Sequence, residues 1–121
     1  MDGFAGRLGV HPIAAEDGHG RLEFEAREEH LNPAGTLHGG VLATLVDTAM
    51  GLAARSTTDD GDVPATSQLT VTYLRPGRPG VLVATAEVRK QGEHLLVCEA
   101  EVEQEGHTLV HALATFAVVR H

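Results

Sequence analysis

From Gly39 to Ala54 the chain reads GGVLATLVDTAMGLAA, and Asp47 is its one ionisable residue. Apolar residues recur here at helical spacing. At ~100° per residue, Val41, Leu42, Leu45, Val46, Ala49, Leu52 and Ala53 form one broad apolar face. Gly40, Ala43, Thr44, Asp47, Met50, Gly51 and Ala54 form the other. That second face has none of the Lys, Glu or Arg of a solvated helix surface. The pattern predicts a helix over residues 38–54, covered on both sides. Thr36 is placed to cap its start, and Asp59, Asp60 and Gly61 mark the loop beyond it.

The rest of the chain alternates with period two. In RLEFEAREE (21–29), Leu22, Phe24 and Ala26 face one way and charged residues the other, as in a half-buried strand. Residues 65–75 alternate around Leu69, Val71 and Tyr73. Residues 81–90 put Leu82, Ala84, Ala86 and Val88 on one face. Residues 94–104 do the same with Leu96, Cys98, Ala100 and Val102, and residues 107–119 with Val110, Ala112, Ala114, Phe116 and Val118. RPGRPG (75–80), Gln91-Gly92-Glu93 and Glu105-Gly106 are turns. Residues 1–20 are weakly patterned; Phe4, Leu8, Val10 and Ile13 anchor a short helix or loop, with a turn at Asp17-Gly18. The expected order is one strand, one long helix, then four strands joined by short turns. Short turns give antiparallel neighbours. The fold class is therefore α+β: one domain over residues 1–121, with an antiparallel sheet of five or six strands wrapped around the helix. Its edge strands and the small helix face call for association with a second copy.

Composition narrows the function classes. The 121 residues fit one domain. Aromatics are 3%, with no Trp, so Val, Leu and Ala must fill the core. A formal net charge of -8 argues against nucleic acid and against an anionic membrane surface. A single cysteine, Cys98, cannot form an internal disulfide and points to a reducing compartment. The N-terminus lacks a basic start followed by an apolar run, and no stretch is suited to span a bilayer. A soluble, cytoplasmic protein is expected.

The candidate chemistry centres on Asp47. A carboxylate among Ala43, Thr44, Met50 and Gly51 is costly to bury without a reason. Gly39 and Gly40 stand where free backbone N–H groups cluster at the helix start, able to polarise a carbonyl or hold an oxyanion. Gly39 and Asp47 are ~12 Å apart along one helix, at 1.5 Å per residue. Two groups acting on one carbonyl must both come within roughly 3 Å of it. One helix cannot achieve this. Two helices packed antiparallel across a two-fold axis can, with Gly39 of one chain meeting Asp47 of the other.

The ordered set Asn32, His38-Gly39-Gly40, Asp47 and Tyr73-Leu74-Arg75-Pro76, within NPAGTLHGGVLATLVDTAMG and QLTVTYLRP, resembles the hotdog-fold acyl-CoA thioesterases of the phenylacetic acid degradation type. The resemblance covers roughly residues 20–119. It implies hydrolysis of an acyl-coenzyme A thioester without metal or cofactor, in a homodimer with composite active sites; a homotetramer is typical of the family. By that resemblance Asp47 is the catalytic carboxylate, as nucleophile or as base for a water. Gly39 supplies the polarising N–H. Asn32 and His38 orient the substrate or stabilise the thiolate. Thr66 holds the water near the carboxylate, with Ser67 the alternative if the alignment slips by one. Gly40 lets a ligand approach closely. Arg75, Arg78, Arg89 and Lys90, gathered near turns, are candidates for the phosphates of coenzyme A. Cys98, on an apolar strand face, reads as core. His107 and His111 lie about 13 Å apart on a strand, and no metal motif is present. An acyl-CoA-binding module without catalysis and a hotdog hydratase or dehydratase are the competing classes.

Overall fold

The computed structural model describes residues 1–119. A short helix α1 (Gly3–Leu8) leads into strands β1 (His11–Glu16) and β2 (His19–Ala26). The long helix α2 (Gly39–Arg55) follows, then β3 (Val63–Tyr73), β4 (Gly80–Gln91), β5 (Leu95–Gln104) and β6 (His107–Val119). All neighbours pair antiparallel, in the order β1-β2-β4-β5-β6-β3. The sheet curls around α2, which packs on all six strands. This is the hotdog arrangement, with six strands.

The period-two faces of β4, β5 and β6 fall inward as their sequences indicate: Leu82, Ala84, Leu96, Cys98, Val102, Val110 and Ala112 are buried. Cys98 is core, and burial pushes its thiol up to about 11. On α2 the buried stripe is Leu42, Leu45, Val46, Ala49, Met50, Ala53 and Ala54. It is rotated from the stripe expected from sequence. Met50 and Ala54, assigned to the back face, are fully buried, while Val41 and Leu52 are only partly so. The curled sheet reaches further round the helix on the Met50 side. What stays half-exposed in the single chain is a stripe of Ala43, Thr44, Asp47, Thr48 and Gly51.

Three local expectations need correction. First, residues 11–16 form a strand, which the alternation did not reveal. Pro12 and a register shift between Pro12 and Ala14 break its period. The Asp17-Gly18 turn is the link of a two-residue hairpin, with both residues at positive φ (52° and 78°). Second, the strand from residue 21 ends at Ala26. Glu28–His30 make a 3-10 turn instead, and the Arg27 N–H donates to His30 Nδ1 at 2.8 Å. Third, Thr36 does not cap α2. Its hydroxyl is engaged with Asn32, and the cap is His38, whose Nδ1 accepts from the Gly40 N–H.

With few aromatics, the core relies on close backbone approach. Gly20 of β2 lies against α2 so tightly that a Cβ there would stand 2.3 Å from the Ala49 carbonyl oxygen and 2.9 Å from the Ala53 nitrogen. Helix backbone cannot yield as a flexible side chain can. Gly20→Ala is expected to destabilise the fold by about 3 kcal/mol or more, read from the denaturant midpoint. A cost under about 0.5 kcal/mol would show that β2 and α2 separate freely.

Candidate active site

The segment before α2 is held at several points. Leu31 and Leu37 form a bridge, and the His38 N–H donates to the His30 carbonyl at 2.9 Å. The Leu37 N–H donates to the Gly77 carbonyl at 3.0 Å. Asn32 organises the loop between. Its Oδ1 accepts from the N–H groups of Ala34 (2.9 Å) and Thr36 (3.2 Å), and its Nδ2 donates to Thr36 Oγ1 (3.0 Å). Both ends of its carboxamide are engaged within residues 32–36, as in an Asx turn.

At the helix start the two glycine amides differ. The Gly40 N–H donates to His38 Nδ1 at 2.8 Å. The Gly39 N–H, at the first helical position, meets no acceptor among the described residues. Because His38 Nδ1 accepts, the neutral ring carries its proton on Nε2 and can donate from there. Tyr73, on the inner face of β3, donates its hydroxyl to the Gly39 carbonyl at 2.8 Å. Its ring lies so near that a Cβ at Gly39 would stand 3.2 Å from Tyr73 Oη. Gly39, Leu42, Tyr73, Arg75 and Gly77 border a hollow of about 340 Å³.

Asp47 lies two turns further along α2, in a different hollow. Thr66 Oγ1 donates to Asp47 Oδ1 at 2.7 Å. This contact depends on a bulge in β3. Pairing with β6 puts Tyr73, Val71 and Leu69 opposite the inward residues Val110, Ala112 and Ala114. Unbroken alternation would next turn Ser67 inward and Thr66 outward. The register instead shifts between Thr66 and Gln68, so Thr66 pairs with the inward Phe116. Ser67 is left on the outer side, where its hydroxyl donates to the Thr115 carbonyl at 3.2 Å. The bulge thus selects Thr66 over Ser67 as the neighbour of the carboxylate. The hollow holding Asp47 measures about 650 Å³ and is lined also by Gly51, Leu52, Arg55, Pro64 and Phe116.

The basic candidates do not converge. Arg75 borders the Gly39 hollow, and its guanidinium donates to the Thr108 carbonyl at 2.9 Å. Arg78 is exposed on the β3–β4 turn, where its backbone bonds the Gln104 side chain. Arg89 is bound to Glu87 at 2.7 Å and approaches Glu99 at 3.7 Å. Lys90 is exposed near the end of β4. His111 bonds Glu99 at 2.7 Å. That hydrogen bond, with the charges of His111 and Arg89, holds the Glu99 carboxyl below its ordinary range. Sequence reasoning passed over this cluster because its members meet only across strands, and it passed over Tyr73 and Arg55 as site residues.

The chain is similar to known proteins in both sequence and fold. The Thioesterase superfamily model matches residues 34–111. The chain is 43% identical to the Halobacterium salinarum protein VNG_1336C, over 78% of its own length and 66% of that protein's. It is 39% identical to human acyl-coenzyme A thioesterase 13, over 69% of its length and 59% of the human chain. It therefore spans less than two thirds of these relatives. Among solved structures, the Escherichia coli PaaI protein from the phenylacetic acid degradation operon superposes with a TM-score of 0.88 at 32% identity, covering 95% of this chain and 83% of that one. A hypothetical thioesterase protein from Streptococcus pneumoniae, solved with coenzyme A, superposes with a TM-score of 0.84 at 30% identity, covering 93% and 92%.

Proposed function

The chain belongs to the thioesterase superfamily, and on that premise we propose that it is an acyl-coenzyme A thioesterase acting as a homodimer with composite sites. The carrying observation is the separation of two complementary half-sites. One holds Asp47, fixed by Thr66. The other holds a helix-start N–H with no acceptor among the described residues. Antiparallel packing of two copies along the small stripe of Gly40, Ala43 and Thr44 joins Asp47 of one to Gly39 of the other. The open edge of β3 is available to extend the contact, and the exposed Leu95 and Leu113 on the outer sheet face suit a pairing of dimers into a tetramer.

In this reading the thioester carbonyl oxygen accepts from the partner's Gly39 N–H, whose position at a helix start favours the oxyanion. Thr66 occupies Asp47 Oδ1, leaving Oδ2 to attack the carbonyl carbon or to take a proton from an attacking water. On either path one water is consumed, the carbon–sulfur bond breaks, and the thiolate leaves as coenzyme A thiol once protonated. His38 donates from Nε2 towards the substrate. Asn32 is a positioning residue, acting through the loop that sets His38 and Gly39. Arg75, beside the Gly39 hollow, is the best placed of the basic candidates for a coenzyme A phosphate. The name of the human relative and the coenzyme A in the streptococcal structure support the substrate class. The lone, buried Cys98 suits a cytoplasmic setting.

Release of free thiol from aromatic, short and medium acyl-CoAs tests the proposal. No release from any of them rejects it and leaves a binding module or a hydratase. With turnover established, Thr66→Val is expected to lower kcat by about tenfold to a hundredfold, the range for losing a hydrogen bond to a charged group. Ser67→Ala is expected to stay within about twofold of wild type. The reverse pattern would place Ser67 at the carboxylate.

A further inference from the structure

The hollow beside Asp47 has a second charged end. Arg55 lies on the same lining, eight residues on, which is roughly 12 Å along the helix axis. Helical side chains lean towards the helix N-terminus, and the arginine, being longer than the aspartate, reaches further back and shortens that gap. Between the two stands Gly51, where an added Cβ would meet nothing within 4 Å, so the floor of the groove is open. Leu52, Pro64 and Phe116 supply apolar lining, and Ala5 of α1 borders one side. Arg55 makes no ion pair among the described residues. Asp2 also borders the groove without pairing with it.

A thioester carbonyl placed at Asp47 has two arms, the acyl group and the pantetheine chain. An extended pantetheine arm carries the nearest phosphate beyond the gap between Asp47 and Arg55. A short acyl group fits it. Guanidinium is a planar fork that matches a carboxylate with two parallel hydrogen bonds. We propose that the substrate is a monothioester of a short dicarboxylic acid with coenzyme A, and that Arg55 binds the free carboxylate at the end of the acyl group. The proposal rests on the thioesterase reading and adds the substrate class to it.

The test compares succinyl-, glutaryl- and adipyl-CoA with butyryl-, pentanoyl- and hexanoyl-CoA in wild type and Arg55→Gln, alongside the matching N-acetylcysteamine thioesters, which carry no phosphate. Wild type is expected to favour the carboxyacyl member of each pair. Arg55→Gln is expected to lower the ratio of kcat/KM between paired substrates by about tenfold to a hundredfold, mainly through KM. Arg55→Lys, which keeps the charge without the fork, is expected to restore part of it. Asp2→Asn, which removes a like charge from the groove, is expected to raise kcat/KM for the carboxyacyl substrates. An unchanged ratio in Arg55→Gln overturns the proposal while leaving the thioesterase reading intact. Equal losses on all CoA thioesters with none on the N-acetylcysteamine thioesters also overturn it, by assigning Arg55 to a phosphate. Absence of hydrolysis of every thioester overturns both.

Discussion

Asp47→Asn is expected to lower acyl-CoA turnover by about 10²–10⁴-fold, the range for removing a positioned acid–base group, with the fold intact. Asparagine keeps an oxygen able to accept from Thr66, so the bond that sets the side chain is retained and only the charge and basicity are lost. Asp47 is half-exposed in the single chain, so the change in stability should stay within about 0.5 kcal/mol. Stopped-assay kinetics and a thermal melt on the same preparation separate the two effects. Turnover near wild type would remove Asp47 from the chemistry.

The second large effect concerns Gly39. Proline removes the N–H and is well tolerated at the first position of a helix. His38 precedes it at φ -59° and ψ 133°, a conformation that suits a residue before proline. Gly39→Pro is expected to cost about 10²–10³-fold in kcat, as for loss of one oxyanion donor. Its ring also crowds Tyr73, so Gly39→Ala is the control: it meets the same 3.2 Å contact but keeps the N–H. A loss in the alanine variant equal to that in the proline variant would assign the effect to crowding.

The parts of the fold legible in sequence are those where one period governs one element. The inward faces of β4, β5 and β6 follow from alternation because each strand is paired on both sides and covered on one face by α2. β1 escaped because it is an edge strand, where Pro12 and a bulge are tolerated and blur the pattern. The tilt of the buried stripe on α2 was not legible either. Met50 and Ala54 carry no polarity to mark their face, and only the curl of the sheet decides it.

The site divides in the same way. Asp47 stood out because a carboxylate contradicts its neighbours. The choice of Thr66 over Ser67 turns on a register shift against β6, a property of the pair of strands and invisible in either one. The difference between the Gly39 and Gly40 amides depends on where the His38 ring lies. Arg55 gave no signal, since a basic residue in the last turn of a helix ordinarily complements the helix dipole. Gly20 gave none either, since it falls in the weakly patterned residues 1–20, before the strand read from residue 21, and its close approach to α2 emerges only once β2 is seen to begin at His19.

The composite site is tested most directly by mixing Asp47→Asn with Gly39→Pro chains carrying different tags and isolating the heterodimer. If Asp47 of one chain works with Gly39 of the other, one of the two sites in the heterodimer is wholly wild type and the other carries both substitutions. Turnover should then return to about half the wild-type value per dimer. A confirmed, folded heterodimer no more active than the two mutant homodimers would place both residues in one chain's site and contradict the shared one.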